Sequence, residues 1–80
     1  MRADRLVSMA NDIGAFFNAE LDKAEGAKNV ALHLKRYWDP RMRREIVAHY
    51  RHGGAGLDPI VRAALGLLSD GAQDTGPRAG

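Results

Sequence analysis

The sequence predicts an all-α fold: a small bundle or orthogonal array of about four short helices, followed by a disordered C-terminal tail. Apolar residues recur at spacings of three and four, and no stretch shows the alternation of a half-buried strand. The dipeptide Asp-Pro occurs twice, a pattern typical of a helix start. Eighty residues suit a single domain, so we expect one helical domain over 1–68 and a flexible glycine-rich tail over 69–80.

The first helix is predicted from about Ala3 to Leu21. Its apolar stripe consists of Leu6, Met9, Ala10, Ile13, Phe16, Phe17 and Leu21. Because adjacent helical residues point about 100° apart, Phe16 and Phe17 cannot both lie at the centre of this stripe. We therefore expect one of them in the core and the other at its margin or against a partner.

The second helix is predicted from about Ala24 or Ala27 to Tyr37. Its apolar stripe contains Ala27, Val30, Ala31, Leu34, Tyr37 and Trp38. The helix must end close to Trp38, since a residue that precedes proline is disfavoured in the α conformation. Asp39 then serves as the N-cap of a third helix whose first residue is Pro40.

The third helix is predicted from Pro40 to about His52, where glycine-rich GGAG ends it. Gly53 or Gly54 is suited to the left-handed position after a helix. Asp58 and Pro59 repeat the capped start and open a fourth helix. The stripe of the third helix consists of Met42, Ile46, Val47, His49 and Tyr50, and the apolar face of the fourth is supplied by Leu57, Ile60, Val61, Ala64, Leu65 and Leu68.

Composition excludes several functions. Without cysteine the chain cannot form disulfides, ligate iron–sulfur clusters through thiolates or use a thiol nucleophile. No apolar run reaches the roughly 20 residues that cross a bilayer, which argues against a membrane protein. The N-terminal MRADRL carries charges where a signal peptide needs an apolar core, so the expected location is cytoplasmic.

Nothing in the sequence forms a recognisable active site, so we expect neither catalytic residues nor a metal site. His49 and His52 have the spacing of a metal-ligand pair, but a third ligand would have to come from His33 or an acid on another helix. The favoured interpretation is structural, with His49 near the core and His52 at a helix C-terminus.

The most distinctive stretch is HLKRYWDPRMRREI, from His33 to Ile46. Over residues 33–52, six cations and two acids give +4, whereas the whole chain carries +2. The basic third helix superficially resembles a helix-turn-helix reader of nucleic acid, but so small a total charge weighs against that function. Tryptophan, tyrosine, methionine and arginine are typical of protein interfaces. The predicted partner-binding residues are Arg36, Tyr37, Trp38, Pro40, Arg41, Met42, Arg43 and Arg44. For Trp38, a purely structural role remains equally open.

Three blocks carry a family resemblance: MANDIGAFF at 9–17, HLKRYWDPRMR at 33–43 and GGAGLDPIVRAAL at 53–65. Together they resemble the delta subunit of bacterial NAD-dependent molybdenum formate dehydrogenase. The resemblance implies a non-catalytic accessory subunit that docks on the large alpha subunit and supports assembly or stability of the complex. It also implies no cofactor in this chain, whereas the complex oxidises formate with bis-molybdopterin guanine dinucleotide, iron–sulfur clusters, FMN and NAD.

In this interpretation Tyr37, Trp38 and Met42 are apolar anchors, while the arginines at 36, 41, 43 and 44 pair with carboxylates of the alpha subunit. Two alternatives stay open. The arginines could assist insertion of the anionic molybdenum cofactor, because clustered guanidiniums bind phosphate well. The less favoured alternative is a small basic helical protein that binds nucleic acid.

Overall fold

Four helices make up the fold in a computed structural model that describes residues 3–74, with side chains described as far as Ser69. They are α1 (Ala3–Phe17), α2 (Lys23–Tyr37), α3 (Pro40–Arg51) and α4 (Pro59–Asp74). Residues 3–74 contain no strand, and the predicted all-α class with four helices is confirmed. None of these helices is long and apolar enough to span a membrane.

The connection between α1 and α2 differs from the prediction. α1 ends at Phe17, not near Leu21, and the side chain of Leu21 is 98% exposed. α2 begins earlier than expected because Asp22 caps it: the carboxylate Oδ1 accepts hydrogen bonds from the backbone N–H groups of Ala24 at 3.0 Å and Glu25 at 3.3 Å. The prediction from periodicity made α1 too long, because Leu21 has the spacing of the apolar stripe although the helix ends at Phe17.

The turn between α2 and α3 follows the prediction. The backbone of Trp38 leaves the helical conformation, and its N–H still donates to Leu34 O at 3.0 Å. Asp39 is extended, and its Oδ1 accepts from the N–H of Met42 at 2.9 Å, with Pro40 as the first residue of α3. The proline restriction and the aspartate cap therefore set both helix ends locally.

α3 ends in a glycine C-cap of the Schellman type. Gly53 has a φ of +109°, which L-residues with a side chain rarely adopt. Its N–H donates to Tyr50 O at 3.2 Å, and the N–H of Gly54 donates to His49 O at 2.9 Å. These two bonds satisfy carbonyls that the end of α3 would otherwise leave unpaired.

α4 starts after Asp58 and continues beyond Leu68 to Asp74. Among residues 3–69 the Asp58 carboxylate makes no capping bond; instead its backbone N–H donates to the side-chain Oδ1 of Asn11 at 3.0 Å, while Asn11 Nδ2 donates to Gly56 O at 2.9 Å. Within the predicted tail over 69–80, the backbone is helical as far as Asp74. Residues 75–80 lie outside the described part of the chain.

The core lies where α4 meets the other three helices, with its most extensive contact against α2. Every helix contributes apolar side chains to this core, and Leu6, Leu34, Ile46 and Leu65 are fully buried. The buried apolar residues are Leu6, Ala10, Ala27, Val30, Ala31, Leu34, Trp38, Ile46, Leu57, Ile60, Val61, Ala64 and Leu65. Burial of this surface is the main favourable contribution to folding.

Gly14 marks the closest approach between α1 and α4. A Cβ at this buried position would lie 2.7 Å from Val61 Cγ2 and 2.9 Å from Ile60 Cγ2. Both distances are shorter than carbon–carbon contacts allow, so α4 packs here only because residue 14 lacks a side chain. A helix-interior glycine, usually unfavourable by about 1 kcal/mol, is thus explained by packing.

Gly14→Ala should lower the free energy of unfolding by about 1–3 kcal/mol, because overpacking outweighs the gain in helix propensity. Gly66→Ala in α4 is the matched control, since its new methyl would meet only the end of the Tyr50 side chain, 3.1 Å from Oη and 3.9 Å from Cζ. We expect this control to be neutral or slightly stabilising. Urea titrations of both variants followed by circular dichroism test the prediction, and equal stabilities would contradict it.

Candidate functional site

Arg43 stabilises the turn between α2 and α3, called here the corner, through hydrogen bonds to the end of α2. Its Nη1 donates to Lys35 O at 3.0 Å and also to Trp38 O, two carbonyls at the C-terminal end of α2. A cation is favourable at this negative end of the helix dipole, and the bonds satisfy carbonyls that lack helical partners. The half-buried guanidinium of Arg43 is therefore used by the fold, although the sequence placed it among the residues that bind a partner.

Trp38 belongs to the core, with only 6% of its surface exposed. Met42 is half-buried and packs against the same core. Of the two roles that the sequence left open for Trp38, burial favours the structural one. A partner could reach the indole only if the chain rearranged, and the role of Met42 and Trp38 as anchors stays a prediction.

Five of the eight predicted partner-binding residues are exposed around this turn. We call these residues the basic corner: Arg36, Tyr37, Pro40, Arg41 and Arg44. Within residues 3–69 the ion pair present is Lys28–Glu25, at 3.9 Å, so no acid in that range pairs with an arginine of the basic corner. Their three guanidiniums are available to carboxylates or phosphates from outside the chain.

Two further arginines hold the fold together, which was not predicted from the sequence. Arg62 donates through Nη2 to Gly54 O at 2.9 Å and Gly53 O at 3.2 Å, which fixes the glycine turn after α3. Arg51 donates through Nη2 and Nε to the hydroxyl of buried Ser69, at 2.6 and 3.1 Å. Arginine content therefore overstates the cationic surface that is free for binding.

The histidine pair is engaged by the backbone. His49 Nε2 lies 2.9 Å from Ala55 O and His52 Nδ1 lies 2.8 Å from Ala48 O, so each ring donates an N–H to a carbonyl. In the described part of the chain, no group of three or more histidines, cysteines or acids could hold a metal ion. The arrangement of His49 and His52 agrees with the structural interpretation.

A row of aromatic rings runs from the end of α1 along α2, and the sequence did not predict it. We call Phe16, Phe17, His33 and Tyr37 the aromatic row. Neighbouring ring centroids are 5.0 Å apart for Phe16 and Phe17, 6.3 Å for Phe17 and His33, and 4.8 Å for His33 and Tyr37. Phe17 packs against the core, whereas Phe16 is 76% and Tyr37 70% exposed. As expected, one of the two phenylalanines, Phe17, packs at the core, whereas a partner for exposed Phe16 stays a prediction.

Fold and surface define the class: a small all-α protein whose exposed arginines, around the turn between α2 and α3, have no acidic partner within residues 3–69. Residues 5–65 match the family model described as NADH-dependent formate dehydrogenase delta subunit FdsD, and the chain belongs to this family. The match covers α1 after its first two residues, α2, α3 and the first part of α4, so it includes the whole basic corner. No curated protein and no solved structure matches the chain.

Arg43→Ala should lower the free energy of unfolding by about 1–2 kcal/mol, because it removes charge-assisted bonds to the end of α2. Arg41→Ala is the matched control; its exposed side chain makes no bond within residues 3–69, and we expect a change within about 0.5 kcal/mol. Thermal and urea unfolding of both variants provide the measurement. If the two substitutions cost the same, Arg43 does not stabilise the corner.

Proposed function

We propose that the protein is a non-catalytic delta subunit of an NAD-dependent formate dehydrogenase complex. It docks on the large alpha subunit through the basic corner and supports assembly or stability of the complex. Family membership supports association with the other subunits. The single observation that carries the docking surface is the set of exposed arginines at 36, 41 and 44 without an acidic partner in residues 3–69.

The physical argument for docking is preorganisation. Arg41 and Arg44 lie on the first turns of α3, whose start is fixed by the Asp39 cap, and Arg36 lies at the end of α2, which Arg43 holds. Guanidiniums on fixed backbones lose less freedom on binding than those on a mobile loop. Arginine also pairs with carboxylates in a two-pronged geometry. The expected complement is an acidic surface of the alpha subunit.

The chemistry of formate oxidation is proposed to lie in the other subunits. A chain without cysteine cannot hold an iron–sulfur cluster through thiolates, and residues 3–69 supply no cluster of metal ligands. In this proposal the alpha subunit carries bis-molybdopterin guanine dinucleotide. Iron–sulfur clusters, FMN and NAD complete the electron path elsewhere in the complex, and delta binds none of them.

Arg41→Ala/Arg44→Ala should reduce co-purification of the alpha subunit with tagged delta by at least about tenfold, since two paired charges at an interface are lost. Arg5→Ala/Lys28→Ala removes the same charge from exposed sites on α1 and α2 and should leave co-purification unchanged. Arg43 is unchanged in both variants, so a failure to bind cannot result from loss of its hydrogen bonds to the end of α2.

The molybdenum content of the recovered alpha subunit separates docking from cofactor insertion. Loss of binding with full molybdenum in the remaining complex supports docking. Retained binding with low molybdenum would overturn docking through these arginines and support a role in inserting the anionic cofactor. Normal binding together with normal molybdenum content would contradict any role of Arg41 and Arg44 in the complex.

A further inference from the structure

Exposed apolar side chains gather on one surface, at the end of α1 and along α2. Of the five large apolar residues exposed within residues 3–69, Phe16 and Tyr37 are the outer members of the aromatic row. Leu21 lines a shallow depression together with Phe16 and Phe17. The other two, Leu32 and Leu67, belong to neither the row nor the depression. Aromatic rings concentrated on an exposed surface are typical of a binding site.

The row is built on ordered positions. Phe17 and His33 are half-buried, and Phe16 packs edge-on against Phe17 with an interplanar angle of 88°. His33 and Tyr37 are one helical turn apart on α2, which places both on one face. The exposed rings are thus supported by neighbouring rings, and a partner would meet them with little loss of side-chain freedom.

Charge differs between the two ends of this surface. At the Tyr37 end, Arg36 is adjacent in sequence and the other arginines of the basic corner follow at the start of α3. At the opposite end, Leu21 stands between Glu20 and Asp22 and is followed by Lys23, so this end carries a net charge of −1. The complementary partner is therefore apolar in its middle and carries carboxylates at the end that meets Tyr37.

We infer that the aromatic row and Leu21 form a second contact surface, continuous with the basic corner at Tyr37. Its occupant is an amphipathic segment of the large subunit, with apolar side chains against the row and carboxylates against Arg36. This inference rests on the proposed function and deepens it, because it names the surface on which most of the apolar contact forms. The basic corner then orients the segment, and the aromatic row supplies hot-spot contacts.

The test compares two pairs of exposed apolar residues. Phe16→Ala/Tyr37→Ala should weaken binding of full-length delta to a delta-free complex by at least about tenfold, as expected for aromatic hot spots. Leu32→Ala/Leu67→Ala removes exposed apolar surface outside the row and should change Kd by less than about twofold. Binding is measured by biolayer interferometry with immobilised delta, and circular dichroism checks that each variant is folded.

A second variant keeps the test valid if the double alanine destabilises the chain. Phe16→Glu changes one side chain that is 76% exposed, so the fold should tolerate it. The new carboxylate opposes the apolar middle of the partner segment, and we expect a loss of at least about tenfold in affinity. Binding of Phe16→Glu and of the double alanine at wild-type affinity would overturn the inference.

The outcomes separate this inference from the proposed function. If the Arg41/Arg44 variant loses binding while both row variants keep it, the aromatic row is not a contact surface, although docking through the basic corner stands. If wild-type delta does not bind the complex at all, the proposed function itself fails. If the row variants abolish only self-association, measured by sedimentation velocity, the occupant is a second copy of the chain and the inference is wrong.

Discussion

The fold depends on how the corner between α2 and α3 is closed. Two side chains form hydrogen bonds to the two helix ends that meet there. The Asp39 carboxylate accepts from a backbone N–H at the start of α3, and the Arg43 guanidinium donates to a backbone carbonyl at the end of α2. Each satisfies backbone groups that a helix end leaves unpaired and that water would otherwise have to solvate. Between them the indole of Trp38 is buried. The hydrogen bonds of Asp39 and Arg43 at the surface and the burial of Trp38 beneath them therefore fix the direction of α3 relative to α2. The positions of the side chains on both helices follow from that direction.

The same need to satisfy helix ends divides the arginines into two groups. Arg43 donates to carbonyls at the end of α2, Arg62 donates to carbonyls of the glycine turn after α3, and Arg51 donates to the buried hydroxyl of Ser69. These guanidiniums serve the fold, because they satisfy backbone carbonyls and a hydroxyl that would otherwise depend on water. Arg41 and Arg44 make no such bond within residues 3–69 and keep their charge available. A basic stretch in a sequence thus contains both arginines that stabilise the fold and arginines that remain exposed. Only their hydrogen bonds in the structure distinguish the two groups.

Several helix ends could be predicted from the sequence, because they depend on the conformational preferences of single residues. The helix end before Asp39, the restart at Pro40 and the left-handed glycine after α3 follow from restrictions on single residues, and all three were predicted correctly. Two errors are local: the Asp22 cap at the start of α2 was not predicted, and a cap was expected from Asp58, whose carboxylate makes no capping bond within residues 3–69. The other errors concern packing between helices. Leu21 continues the apolar period of α1, yet the chain turns after Phe17. Arg43 has the same sequence signature as Arg41, and only contact with the end of α2 distinguishes them. The aromatic row could not be predicted either, because it joins rings from two helices whose relative position depends on the core.

α2 contributes side chains both to the core and to the exposed surface. Val30 and Leu34 are fully buried, whereas His33 and Tyr37 extend the aromatic row outside. Tyr37 is 70% exposed although Leu34, one turn before it, is fully buried, so a substitution at Tyr37 can alter binding without opening the core. The spacing between Phe16 and Tyr37 still depends on the core, since close packing of α4 on Gly14 sets the position of α1. The surface available to a partner therefore depends in part on the close packing at Gly14, and stability and recognition are coupled through α1.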